Sequence, residues 1–128
     1  CSATLAEKLA AEAHQAGIPI SAGTDDPGEW NDPWPSLFGE LSLLVHRAGF
    51  SPMDAIVASS HVGAMTVGQT TEMGTIEPGK LANFMFVARN PLDDIDNLKT
   101  VTMTVKRGVL YKRSDYRPIT KDEAKGEM

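Results

Sequence analysis

The stretch from Gly17 to Pro35 limits the fold more than any other part of the chain. Gly17-Ile18-Pro19 stops a helix, because Pro19 has no backbone N–H to donate and drives the residue before it out of the helical region. Ile18-Pro19-Ile20-Ser21-Ala22-Gly23-Thr24-Asp25 is then a short apolar run that reads as a buried strand over residues 18–24 and ends on a carboxylate. Residues 25–35 contain three prolines, a glycine, four acids and two tryptophans, so neither helix nor central strand continues through them. The pattern is that of a strand delivering one acid to a site. No histidine cluster accompanies it.

Around this stretch the elements follow from spacing and punctuation. Leu5, Leu9, Ala13 and Ala16 recur at helical spacing, with Glu7, Lys8 and Glu12 off that face, giving a first helix that ends near residue 16. Leu37, Leu41, Leu44, Val45 and Ala48 mark a second, with Ser36 as the expected N-cap and Gly49 as the residue that ends it. Ser51-Pro52-Met53-Asp54 opens a third by a capping box, and it is expected to run to about Val67 with Gly68 closing it. Beyond Gly68 strands replace helices. Gly74 to Lys80 is rich in turn residues, Phe84-Met85-Phe86-Val87 is a continuous apolar run, and Val101 to Val105 alternates. Lys106-Arg107-Gly108 then leads into Val109-Leu110-Tyr111 as a hairpin expected to bury one face. The charged tail from Ser114 to Met128 is expected to fray.

Composition excludes several functions. With 41% hydrophobic residues the 128-residue chain can build a core, and its net charge of −5 with scattered Lys and Arg argues against nucleic acid. No apolar run approaches the ~20 residues of a membrane span. The lone Cys1 cannot form an intrachain disulfide. Cys1-Ser2-Ala3 opens without Met or a signal pattern, as a cut inside a domain would.

Four motifs in order give the chain a resemblance. Ser21-Ala22-Gly23-Thr24-Asp25, the helix pair from Glu40 through Ala48-Gly49-Phe50-Ser51-Pro52 to Ile56, Met73-Gly74-Thr75-Ile76-Glu77-Pro78-Gly79-Lys80-Leu81-Ala82-Asn83-Phe84, and Asn90-Pro91-Leu92-Asp93-Asp94-Ile95 with the strands after it together resemble the metal-dependent amidohydrolase superfamily, in its imidazolonepropionase-like branch. The match covers roughly residues 3–112. Asn83 stands where members usually have Asp, and Ala58-Ser59-Ser60 where they usually have Ala-Ala-Thr. The resemblance implies an α/β fold: the C-terminal portion of a TIM-like (β/α)8 barrel plus strands of a small composite β-sandwich domain. Residues 1–70 would be the last β/α part of the barrel, 71–112 the composite-domain strands and 113–128 a charged tail. A complete barrel needs ~250 residues, so the chain reads as a C-terminal piece, inactive alone, whose missing N-terminal part supplies the histidine ligands.

The resemblance further implies hydrolysis of C–N bonds in a small amide, cyclic amide or dipeptide by a water activated by one or two divalent ions, zinc foremost. Asp25 would be both metal ligand and general base, holding the attacking water and passing its proton to the leaving nitrogen. The competing reading of Asp25 is an ordinary turn residue. Trp30 and Trp34 would either bind an apolar part of the substrate or pack over the barrel rim. Asp26 is a weaker candidate, and Asp25, Asp26, Glu29 and Asp32 lack the spacing of a calcium loop. His14, His46 and His61 show neither His-x-His nor His-x-x-x-His spacing, so surface positions are expected for the first two and packing for His61. Two rivals remain: a non-catalytic module or split-barrel subunit needing a partner chain for the remaining metal ligands, and a stand-alone acidic-loop metal-binding domain. Oligomeric state and compartment are not legible.

Overall fold

A computed structural model describes residues 3–26 and 34–117. Four helices come first: α1 (Ala3–Gln15), α2 (Ser36–Ala48), α3 (Pro52–Ser59) and α4 (His61–Thr66). Strand β1 (Phe84–Val87), a 3₁₀ helix (Ile95–Thr100), β2 (Val101–Lys106) and β3 (Val109–Lys112) follow, so the chain is α/β with one three-stranded antiparallel sheet in the order β1-β2-β3. The core lies among the helices. Leu41, Leu44 and Ala48 of α2, Phe50, and Ala55 and Ala58 of α3 are buried with Ile95 and Leu98 of the 3₁₀ helix.

The caps explain the helix boundaries. Gly49 ends α2 in the left-handed region (φ 76°), where a side chain is disfavoured, and Phe50 N–H bonds back to the Leu44 carbonyl at 3.1 Å. Ser51 and Asp54 form the reciprocal capping box that starts α3. Its Asp54 carboxyl is held below the ordinary carboxylate range, first by the Ser51 hydroxyl, then by the Ser51 N–H, with His14 adding to both.

Several expectations are corrected. The third helix breaks after Ser59, because the Ser59 and Ser60 hydroxyls both donate to the Ile56 carbonyl and the Ser60 N–H is shared between Ile56 and Val57, which disturbs the regular helical ladder. The core-facing side of α1 includes Ala10 and Ala11, and Leu5 and Leu9 are exposed. Residues 18–24 belong to no ladder among the described residues, since nothing there lies alongside to pair with them; one backbone bond, from the Ala22 N–H to the Ala58 carbonyl (3.2 Å), ties them to α3. Their burial nevertheless alternates as in a strand, with Ile20, Ala22 and Thr24 half-buried and Ser21 and Gly23 exposed. Finally, the hairpin buries neither face of β3, because nothing among the described residues covers that edge strand: Val109, Leu110 and Tyr111 are all exposed.

The hairpin turn itself forms as expected. Arg107 (φ 50°) and Gly108 (φ 81°) are both left-handed, as a two-residue turn between twisted strands requires. Asn83 Oδ1 accepts the Arg107 N–H at 2.8 Å and the Ala82 carbonyl accepts the Gly108 N–H at 3.1 Å. Asn83, where the resemblance leads one to expect Asp, therefore pins this turn, and it does so with an oxygen that Asp would also offer. The tail residues 118–128 lie outside the described residues.

Candidate active site

Asp25 sits at the end of the alternating segment, exposed, with φ of 49°. Asp tolerates this left-handed conformation better than most side chains, and the bend ends the alternation, so Asp26 is exposed beside it. Hydrogen bonds hold the bend from both sides. The Asp26 N–H points to Thr24 Oγ1 (3.4 Å), Thr24 Oγ1 lies 3.0 Å from Ser36 Oγ, and Ser36 Oγ donates to the Asp26 carbonyl at 2.5 Å. Ser36 is thus the first residue of α2 and not its cap; Pro35 takes the cap position, and the serine hydroxyl reaches across to the bend.

Trp34, the other described site candidate, is half-buried just before α2. Its ring lies 6.1 Å from that of Phe38, and the Arg113 guanidinium lies over its face at 4.7 Å and over Tyr116 at 4.5 Å. A cavity of about 260 Å³ opens here, walled by Trp34, Phe38, Met85, Tyr111 and Tyr116. Trp30, Glu29 and Asp32 lie outside the described residues.

None of the three histidines is placed on Asp25 by a described contact. His14 stacks on Phe50 (4.0 Å, 18°) with Nε2 at 3.5 Å from Asp54. His61 is partly buried, and its Nδ1 has no hydrogen-bond partner. His46, exposed near the C-terminus of α2, joins Asp94 and Asp96, and the three offer ligand atoms within 4.8 Å of one another, a group that could hold a metal ion. Sequence spacing gave no hint of it, since the residues come from different elements. Each carboxylate already has a role: Asp94 caps the 3₁₀ helix, and Asp96 accepts Lys99 Nζ at 2.8 Å, which chiefly holds its carboxyl below the ordinary range. His46 is ten residues, about 15 Å, along α2 from Ser36, so this group belongs to the end of the helix opposite Asp25.

As a metal donor set, Asp25 fits in kind but not in number. A carboxylate at an exposed bend is a suitable oxygen ligand, whereas a catalytic zinc takes three protein ligands. The other ligands would have to come from elsewhere in the protein.

Comparison with known proteins decides the family. The amidohydrolase family model matches residues 6–111. The chain belongs to the amidohydrolase family. It is 34% identical over 113 residues to the ochratoxinase of Aspergillus niger, covering 84% of this chain and 22% of that protein. It is 31% identical over 105 residues to the imidazolonepropionase of Thermoplasma acidophilum, covering 78% and 25%. A solved Xaa-Pro dipeptidase with methionine bound in its active site superposes with a TM-score of 0.74 at 29% identity over 83% of this chain and 25% of that one. The amidohydrolase chain thus spans about a quarter of the length of these relatives.

Proposed function

We propose that the protein containing this chain hydrolyses C–N bonds of a small amide, cyclic amide or dipeptide, with Asp25 as metal ligand and general base. The observation that carries the reading is Asp25 itself: in a chain of the amidohydrolase family, it is an exposed carboxylate at the end of an alternating segment, on a bend held by Thr24 and Ser36. The names of its relatives, a dipeptidase and an imidazolonepropionase among them, agree with this substrate class.

In this reading residues 1–70 complete a (β/α)8 barrel, 71–112 join a composite β-sandwich domain and 113–128 form a tail. The open surfaces support it. Ile18, Ile20, Val57 and Val62 line a cavity of about 230 Å³ between the alternating segment and α3, where a further barrel element would pack, and Leu5 and Leu9 face outward from α1. A divalent ion, zinc foremost, would be held by Asp25 and by histidines from other strands, and when bound it would acidify water and polarise the substrate carbonyl. Asp25 would orient the attacking water by a hydrogen bond, take its proton, and deliver that proton to the leaving nitrogen. Trp34, with Trp30, would receive an apolar part of the substrate.

The test is a hydrolysis screen of amides and dipeptides with the purified, metal-loaded full-length protein, with Asp25→Asn as its control. Loss of the general base should lower kcat by about 10²- to 10⁴-fold. An Asp25→Asn protein that keeps the parent rate overturns the assignment.

A further inference from the structure

The bend that carries Asp25 has a support 11 residues further along the chain. Ser36 has one hydroxyl proton, and its shortest contact, 2.5 Å to the Asp26 carbonyl, is where that proton goes. With that proton spent, the Thr24 hydroxyl is the donor available at the 3.0 Å contact with Ser36 Oγ; it also lies within donating distance of the same Asp26 carbonyl (3.2 Å), and Thr24 Oγ1 in turn faces the Asp26 N–H. The bonds close into a ring running from the Asp26 N–H through Thr24 and Ser36 back to the Asp26 carbonyl. Both polar groups of the Asp26 backbone are used, and the peptide that follows Asp25 cannot turn without breaking a member of the ring. Because Ser36 is the first residue of α2, the ring fastens the bend to a helix whose Leu41, Leu44 and Ala48 are buried in the core.

We propose that Ser36, acting with Thr24, is a positioning residue that fixes the Asp25 carboxylate at the reaction site through the ring on Asp26. The inference rests on the reading of Asp25 as the site carboxylate. A supported group presents its carboxylate at one angle to metal and substrate; an unsupported one samples several, at a cost in rate and metal affinity without change in substrate contacts. Loss of such a support typically costs 10- to 100-fold in activity or metal affinity.

The experiment uses the full-length protein and four variants: Ser36→Ala, Ser36→Thr, Thr24→Val and Asp25→Asn. Zinc affinity of the metal-stripped protein is measured by competition with a chelator, alongside kcat, KM and melting temperature. Ser36→Ala should lower kcat about 10- to 100-fold and weaken zinc about 10-fold or more with KM unchanged. Ser36→Thr, which keeps the hydroxyl, should restore both. Thr24→Val, which keeps the shape and removes the middle member of the ring, should repeat the Ser36→Ala result and serves in its place if that variant fails to fold. If Asp25→Asn is inactive while Ser36→Ala and Thr24→Val keep parental kcat and zinc affinity, the positioning role is overturned and the Asp25 reading stands. If Asp25→Asn is active, both fall.

Discussion

The helical region and the sheet are built on opposite terms. In the helical region local signals and burial coincide: the helix ended by Gly49 and the one opened by Ser51 and Asp54 both place residues in the core, and Leu41, Ala55 and Ala58 are almost wholly inaccessible. In the sheet the local signals are just as clear, with a two-residue left-handed turn and a continuous register from Met103 opposite Lys112 to Lys106 opposite Val109, yet no strand residue is buried. One place where the two regions meet is the 3₁₀ helix, whose Ile95 and Leu98 are buried in the core with residues of α2 immediately before β2 begins. Strand pairing can thus be specified by turn chemistry and backbone hydrogen bonds alone, whereas the buried apolar side chains nearest the sheet, Ile95 and Leu98, lie outside its strands.

The strongest way to break this comparison is to remove one of those side chains. Ile95 is 2% exposed, and Ile95→Ala should cost about 2 to 5 kcal/mol, because it deletes buried methyl groups and leaves a cavity under α2. Leu110→Ala, in the middle of β3 at 51% exposure, should stay within about 0.5 kcal/mol in the isolated chain. Urea unfolding of both variants checks the contrast. Comparable losses would show that β3 is covered by a layer outside the described residues, and the sheet would then be held by its faces.

What the sequence makes legible follows the same division. Gly49, Ser51-Pro52-Asp54 and Arg107-Gly108 act within a few residues of themselves, so their roles can be read one by one. Asp25 could be singled out because a short apolar run ends on it before a loop that admits no regular structure. Ser36 reads as a cap because the residue type suits one, and only the fold shows that its hydroxyl is spent on Asp26. The 3₁₀ helix has a weaker signal, a cap at Asp94 and a spacing of three between Ile95 and Leu98, too short to stand out from a loop. His46 with Asp94 and Asp96 was beyond reach, since those residues meet only when α2 and the 3₁₀ helix pack. Residues 18–24 are less buried than their pattern implies for a related reason: an apolar strand pattern records what the segment is suited to pack against, not what the described residues supply.

Gly74 sharpens the comparison at the joint between the regions. Its φ of 98° is left-handed, and a Cβ there would lie 2.7 Å from Ala64 Cβ and 3.2 Å from both His61 Cα and the Ser60 carbonyl oxygen. Ser60, between α3 and α4, and two residues of α4 leave room for nothing larger than hydrogen. Gly74→Ala should therefore cost about 1 to 3 kcal/mol, through overpacking together with the unfavourable backbone. A melting temperature equal to the parent's would mean that the chain leaving α4 can swing away from the helix, and the joint would be loose where the close approach says it is tight.

The smallest effect tests whether the helical region depends on charge as well as burial. Asp54 is nearly half exposed, so its contribution is that of a cap, and Asp54→Ala should cost about 1 kcal/mol. The dependence on pH has a definite direction. Hydrogen bonds from Ser51 stabilise the ionised carboxylate in the folded state, so its pKa there lies below the unfolded value of about 3.9. The unfolded chain takes up the proton first. The stabilisation is complete above the unfolded value and is lost as pH falls through the folded one, so the gap in melting temperature between parent and Asp54→Ala should be constant near neutrality and close on acidification below about pH 4. A gap that persists in acid would assign the loss to the shape of the capping turn and not to the carboxylate charge. The helical region would then rest, like the sheet, on local geometry wherever its side chains are exposed.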